Sequence, residues 1–476
     1  MNTISDFELI SGLIIFLLGS LCTLIGGTHA LLNKRDPRSA LAWIAMCIAL
    51  PFLGALLYYV FGKNRIRTRA QRLTRNAAEP MEEANMGVHE ASVRPDYRNL
   101  AQLSAASSKR RLLAGNTVAP LYNGDEAYPA MLQAIEEASS YIYLATYIFE
   151  TGPAGREFIE ALGRAKRRGV SVKVLVDGVG EKYDFPFVSG RLEAQDVDVA
   201  LYLPPTLFPP NLTINLRNHR KLLLVDGSIG FTGGMNIRQN HLKKGNKNGF
   251  TDVHFSIRGP VLRQLERVFV NDWLFTTDES LPWNEAVGYP QIEDDMACRV
   301  LLEGPNEDVD KLTWVLVGAI SLAKESILIM TPYFLPSREL EVALQTAAMR
   351  GVDVSVVLPG KNNLPFMTWA TTHVLPQLLN TGVKIFSSPA PFVHSKLFVV
   401  DDYYVQLGSS NLDPRSLRLN FELVVEVYDQ EFGQTMAAHA RDSIAQARVI
   451  DMSDINVRSL PKRLRDAFFW LFSPYL

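Results

Sequence analysis

Three cysteines in 476 residues (Cys22, Cys47 and Cys298) are too few for a disulfide framework. None forms a CxxC pair, so a thiolate zinc site is excluded as well. An excess of charge of one sign is also missing. Forty-eight Lys and Arg stand against 50 Asp and Glu, a formal net charge of -2. That balance argues against a protein held to nucleic acid by overall positive charge, and no nucleic-acid partner is expected. With 47% apolar and 21% charged residues the chain is not a disordered polymer. Its length accommodates two or three domains with substantial cores.

Apolar sequence, by contrast, is concentrated at the N-terminus. Leu9 to Leu32 contains His29 as its only acidic or basic side chain, and after the polar turn Asn33–Arg38, Ser39 to Phe61 carries no charge. Each stretch exceeds the ~20 residues needed to cross a bilayer. The expectation is a transmembrane hairpin over residues 1–75, with spans at about 9–32 and 39–61 and a kink at Pro51. Asp6 and Glu8 precede the first span where a cleaved signal peptide would carry basic residues. Lys63, Arg65, Arg67, Arg69, Arg72 and Arg75 follow the second. Such a cluster stays in the cytoplasm, which places both termini inside and makes the protein multi-pass. It would also attract anionic membrane lipids, by ~1 kcal/mol per basic residue. Residues 76–115 lack a sustained period and read as a linker.

The remainder is one unit written twice, residues 116–292 and 293–476. Tyr141–Phe149 matches Ser326–Phe334, and Arg168-Gly-Val-Ser-Val-Lys-Val-Leu-Val176 matches Arg350-Gly-Val-Asp-Val-Ser-Val-Val-Leu358. Ala-rich helical stretches precede these β-branched runs, the pattern of α/β layering around a buried sheet. A repeat this long is a duplicated domain, which points to a pseudo-two-fold axis with a site between the copies.

Each copy ends in the same constellation. The first reads His219-Arg-Lys221, four apolar residues, Asp226 and Gly233-Gly-Met-Asn236; the second reads His394-Ser-Lys396, four apolar residues, Asp401 and Gly408-Ser-Ser-Asn411. His and Lys two apart on an extended strand share a face, so both reach one phosphate. A neutral imidazole is a competent nucleophile at phosphorus, and expulsion of an alkoxide needs a second, protonated imidazole as acid. Lys221, Lys396, Asn236 and Asn411 would stabilise the phosphate oxygens, a task otherwise given to metal ions. No metal and no cofactor are therefore expected. Asp226 and Asp401, although part of the motif, fit the support of a turn better than chemistry. Asp252 and Glu422 are charged residues opening apolar strands.

This constellation resembles the phospholipase D superfamily, whose H-x-K-x4-D-x6-G-[SG]-x-N motif occurs twice in a bilobal chain. Within it the sequence is similar to bacterial cardiolipin synthases with two N-terminal spans. Thr331-Pro-Tyr-Phe334, Asp252 with Gly259-Pro260, Asp272-Trp273 and Asn411-Leu-Asp-Pro-Arg-Ser416 leading to Asn420-Phe-Glu422 carry that resemblance. It implies two α/β/α sandwich domains related by pseudo-two-fold symmetry, in the bacterial cytoplasmic membrane, with phosphatidylglycerol as substrate. It implies phosphatidyl transfer to a second phosphatidylglycerol through a phosphatidyl-histidine, with His219 attacking and His394 as acid. It also implies a carboxylate on the far ring nitrogen of each histidine, read here as Asp252 for His219 and Glu422 for His394. Gly234, opposite Ser409 of the other copy, removes a hydroxyl from the first half, and Phe250 stands where a Trp is common. A phospholipase D hydrolase and a non-enzymatic membrane scaffold are the alternatives, and the oligomeric state stays open. Pro204–Pro210 resembles a substrate-side loop, Asn211-Leu-Thr213 matches a glycosylation acceptor, His254 reads as a core histidine, and Lys462–Phe472 reads as an interfacial helix.

Overall fold

The computed structural model describes residues 3–34, 37–62, 91–205, 216–282, 295–305 and 309–476. The basic cluster at 63–75, the first part of the linker and residues 206–215, with most of the proline loop and the Asn211 motif, lie outside the described residues.

The chain divides into two units, Met1–Arg72 and Leu73–Leu476. In the first, α1 (Thr3–Asn33) is continuous. Its segment Ile10–Asn33 is the one helix among the described residues long and apolar enough to cross a membrane. The second apolar stretch departs from expectation. It is not a single kinked span but α2 (Pro37–Ala49), α3 (Pro51–Leu57) and a π-turn, Tyr58–Gly62. Pro51 has no N–H to offer the Cys47 carbonyl, and the Thr23 hydroxyl of α1 donates to that carbonyl instead, at 2.7 Å. At Leu50 the backbone opens to φ -134°, and α3 turns back on α2 so closely that a Cβ on Gly54 would lie 2.2 Å from the Met46 carbonyl. Thirteen residues of α2 reach only ~20 Å, short of the ~30 Å hydrocarbon core. His29, the lone basic side chain of α1, is paired through Nδ1 with the Tyr58 hydroxyl at 2.7 Å.

The second unit is built on a mixed sheet of fifteen strands. The first half contributes β1 (Leu113–Tyr122), β2 (Tyr141–Thr146), β3 (Ser171–Asp177), β4 (Asp198–Tyr202), β5 (Leu222–Val225), β6 (Ile229–Gly233) and β7 (Val253–Arg258). The second contributes β8 (Met296–Glu303), β9 (Ser326–Met330), β10 (Asp353–Pro359), β11 (Lys384–Ser388), β12 (Leu397–Val400), β13 (Tyr404–Gly408), β14 (Glu422–Tyr428) and β15 (Arg448–Ile450). Their order is β15-β11-β10-β9-β12-β13-β14-β8-β1-β7-β6-β5-β2-β3-β4. Apart from β15, the two halves mirror one another about the antiparallel β8–β1 pair. The two copies thus share one continuous sheet, covered by helices on both faces, and its apolar runs are buried on both sides. The repeated Arg-Gly-Val is explained by its backbone. Gly169 and Gly351 both sit at φ +92°, the left-handed stop after the helices Pro153–Arg167 and Arg338–Met349.

The supposed linker is structured from residue 95 onward. Tyr97 and Leu100, at the start of the helix Arg98–Ser108, and Leu112 after it are buried among Leu316, Ala319 and Ile320 of the second half. Those residues complete a core the second copy cannot close alone. The expected amphipathic C-terminal helix is Leu460–Trp470. Leu460, Leu464 and Phe468 are 66%, 61% and 54% exposed on one side of it, while Phe469 packs on Trp369 at 4.9 Å.

Candidate active site

β5 and β12 are the four apolar residues of each motif, every one buried, and they fix the segments just before them. The H-x-K triplets lie in those extended segments, not within the strands. The shared face survives nonetheless. Lys221 Nζ donates to the His219 carbonyl at 2.6 Å, and Lys396 Nζ to the His394 carbonyl at 2.8 Å.

Two short parallel bridges join the halves at this point. The His219 amide donates to the Phe421 carbonyl (3.0 Å), and the Phe421 amide to Arg217 (2.9 Å). The His394 amide donates to the Thr251 carbonyl (2.7 Å), and the Thr251 amide to Phe392 (2.9 Å). The residue after Phe421 is Glu422, and the residue after Thr251 is Asp252. Each bridge therefore sets the carboxylate of one copy beside the histidine of the other. His219 Nδ1 lies 2.9 and 3.0 Å from the two Glu422 oxygens, and His394 Nδ1 lies 2.7 Å from Asp252 Oδ2. The pairing read from the sequence, each histidine with the acid of its own copy, is corrected: the pairs are crossed. A carboxylate accepts from Nδ1–H, which leaves Nε2 of each ring as the reactive nitrogen.

Supports differ between the two acids. Glu422 accepts from the Ser409 hydroxyl at 2.5 Å and from Asn420 Nδ2 at 3.0 Å. Ser409 thus holds the acid. Its counterpart Gly234 brings no hydroxyl to Asp252. Asn236 Oδ1 accepts from the Ile148 amide (3.1 Å), leaving Nδ2 for a phosphate oxygen, and Asn411 Nδ2 reaches Ser416 Oγ at 3.2 Å. Phe250 and Phe392 flank His394, with ring centroids 6.0 and 5.8 Å away.

Burial dominates the electrostatics. It pushes His219 down to about 4, against the pull of Glu422. It lowers His394 well below the usual histidine value, together with the charges of Lys396 and Lys221. Both rings are therefore neutral in the empty site at pH 7. Lys396 is lowered to about 8 by burial, and Lys221 is lowered well below the usual lysine value by the same cause. Glu422 falls below the usual carboxylate range: burial would raise it, but His219, Lys221 and the Ser409 hydroxyl outweigh burial. Asp252 is raised, chiefly by burial.

Asp226 and Asp401, although part of the motif, take no part in this cluster and support turns as expected. Asp226 accepts from the amides of Ser139, Ser140 and Tyr141; Asp401 accepts from those of Lys324, Glu325 and Ser326. Each clamps the helix-to-strand turn at the far end of its motif. His254 is a buried core histidine as expected, pushed down to about 4 by burial.

Several residues at the site escaped sequence reasoning. The Tyr147 ring lies 5.2 Å from His219, with Lys221 Nζ 5.6 Å from its centre. Asp177 accepts from Arg217 (3.0 Å) and the Asn218 amide (2.9 Å), fixing the approach to His219. His241 lies beside Asp252, and neither its type nor its spacing recurs in the second copy. Among the described residues, His241, Asp252 and His394 bring ligand-type atoms within 4.8 Å of one another. A Cβ on Gly234 would lie 3.2 Å from both Asp252 Oδ2 and Lys396 Nζ. The charge of Lys396 acts on this carboxylate and opposes the rise that burial causes.

A family profile described as "Cardiolipin synthase, PLD-like domain" matches residues 131–273 and 316–443, more than half of the chain and both copies of the repeat. The chain belongs to this family. A second profile, "Phospholipase_D-nuclease N-terminal", matches residues 12–63. Relatives within the cardiolipin synthases extend the match to nearly the whole length. One from Geobacillus kaustophilus is 30% identical over 454 residues, 94% of this chain and 90% of its own. One from Staphylococcus aureus is 28% identical, with 94% of each chain covered. Among solved structures, the phosphatidylserine synthase of Haemophilus influenzae superimposes with a TM-score of 0.62 at 17% identity. That match covers 80% of this chain and all of that one, and shows the shared fold. As a member of this family the chain is an enzyme of the phosphatidyltransferase type.

Proposed function

We propose that this enzyme joins two phosphatidylglycerols into cardiolipin and glycerol. The observation that carries the reading is the pair of buried imidazoles, each held on a carboxylate of the opposite copy with a lysine beside it. In the first step His219 Nε2 attacks phosphorus, the bond from phosphorus to the glycerol oxygen breaks, and His394 delivers a proton to the departing alkoxide. In the second, the terminal hydroxyl of another phosphatidylglycerol attacks phosphorus, His394 takes its proton, and the P–N bond breaks. One diester replaces another, so the atoms balance without nucleotide or redox cofactor. Lys396 Nζ stands 3.2 Å from His394 Nε2 and 3.4 Å from its Nδ1, over the ring and not on one lone pair, and the choice of His219 as the attacking ring follows the family resemblance. An anionic phosphate entering between the lysines draws Lys396 away and raises the affinity of His394 for a proton.

Purified enzyme given labelled phosphatidylglycerol in the presence of a strong chelator should yield cardiolipin and free glycerol. Phosphatidic acid as the sole product would establish hydrolysis instead, and loss of activity restored by a divalent ion would overturn the metal-free mechanism. The pH dependence has a definite sign. Lys396 must be charged to hold the phosphate, and that charge is present below about pH 8 and lost above it. Since kcat/KM reports the free enzyme, its alkaline limb should fall near pH 8 and move above pH ~10 in Lys396→Arg.

The apolar unit is read as membrane-embedded, with α1 crossing the bilayer, α2 and α3 turning back within it, the catalytic unit on the cytoplasmic side and the exposed stripe of the C-terminal helix against the bilayer surface. Cysteines introduced near Lys34 and Gln71 test the orientation. Because the chain turns back at Leu50, a membrane-impermeant reagent outside intact cells should reach neither; labelling of the first alone would show that the second stretch crosses, and labelling of both would put the catalytic unit outside.

A further inference from the structure

His241 is 1% exposed. Its Nε2 accepts the Asn236 amide proton at 3.2 Å, so the neutral ring carries its own proton on Nδ1. That Nδ1 has no hydrogen-bond partner and lies 3.7 Å from Asp252 Oδ2, the same oxygen that receives His394 Nδ1 at 2.7 Å. A buried donor without an acceptor is costly unless the site uses it. The other half-site shows what is missing. Glu422 has a hydroxyl donor in Ser409, whereas the matching position beside Asp252 is Gly234. Five residues after Asn236 comes His241, and five residues after Asn411 comes Ser416, which serves Asn411 rather than the acid.

We propose, building on the phosphatidyl-transfer reading, that His241 is a positioning residue. It supplies to Asp252 the hydrogen bond that Ser409 supplies to Glu422, and so completes a His241–Asp252–His394 chain. Closing 3.7 Å to a hydrogen bond requires a shift of less than 1 Å. The donor keeps Asp252 ionised when His394 carries the proton for the leaving group; without it, the buried carboxyl competes with His394 for that proton. The charged groups acting on His241 are Asp252, His394, Arg238 and Lys396, and burial together with the three cationic or imidazole neighbours keeps its ring neutral. His241 thus acts as a permanent donor and not as a second acid. The two half-sites use different chemistry for one purpose, a neutral hydroxyl on one acid and a neutral imidazole on the other.

The test uses His241→Phe, which keeps a ring in the space, alone and combined with Gly234→Ser. A Cβ at 234 would lie 3.2 Å from Asp252 Oδ2, so a serine there can place its hydroxyl on the carboxylate as Ser409 does. In the full-length enzyme, His241→Phe should lower kcat for phosphatidylglycerol ~10- to 100-fold with KM nearly unchanged. It should leave formation of the His219 adduct from a nitrophenyl phosphodiester within about twofold of wild type, because that leaving group needs no acid. Adding Gly234→Ser should restore most of kcat. If kcat is unaffected by His241→Phe, the proposal is wrong. Adduct formation and kcat falling together, or a serine at 234 restoring nothing while the melting temperature stays at the wild-type value, would also overturn it. Should the wild-type enzyme release phosphatidic acid and make no cardiolipin, the transfer reading fails on its own, and the kcat of that hydrolysis in the two variants still tests the hydrogen-bond chain.

Discussion

Replacing either histidine should lower turnover of phosphatidylglycerol by about a thousandfold or more, because nucleophile and acid act as one unit. The two variants should separate once the leaving group no longer needs protonation. With a nitrophenyl phosphodiester, His394→Ala should still form the covalent adduct, whereas His219→Ala should not. The assignment follows the family resemblance, and the two half-sites differ in that Lys396 Nζ lies over the His394 ring, 3.2 and 3.4 Å from its two nitrogens. Mass spectrometry of the trapped protein decides the order. A phosphoryl group on His394 with none on His219 would reverse the roles.

The second large effect follows from the crossed pairs. Glu422→Gln should impair the nucleophile and Asp252→Asn the acid, each by about 10^2- to 10^4-fold on the natural lipid, as when the carboxylate behind a catalytic histidine becomes an amide. With the nitrophenyl substrate, Asp252→Asn should form the His219 adduct at close to the wild-type rate and Glu422→Gln should not. That pattern is the opposite of within-copy pairing, in which Asp252 would serve His219. A double-mutant cycle gives the same discrimination: His219 should couple to Glu422 and be nearly additive with Asp252. Coupling of His219 to Asp252 instead would mean that the bridges at Phe421 and Thr251 do not persist in solution.

Much of this site was legible in the sequence, for identifiable reasons. The histidines, lysines and asparagines recur at equal offsets in both copies, and the buried runs of β5 and β12 between them announce where the chain is anchored. The acids could be found, since a charge opening an apolar strand needs a partner. Which histidine each acid serves could not be read, because the contacts join residues 203 and 142 positions apart through backbone bridges that no spacing encodes. His241 was invisible for the opposite reason: it compensates for Gly234 in one copy and has no counterpart to repeat. The turn role of Asp226 and Asp401 was readable from their place after a buried strand. In the N-terminal unit, Pro51 foretold a disturbance, but a full reversal at Leu50 depends on Gly54 admitting the Met46 carbonyl and on the Thr23 hydroxyl reaching Cys47 from α1. The segment 95–112 looked like linker because its few apolar residues complete a core supplied by a helix some two hundred residues later.

The exchange of acids between the copies has a bearing on how the protein is made. His219, in the first copy with Lys221, is synthesised before the segment at Phe421 that bridges to it. Its carboxylate is still unsynthesised, on a strand that begins at Glu422. A half-made or truncated chain therefore exposes an imidazole with nothing to orient it, and chemical competence arrives only when the last strands of the second copy dock.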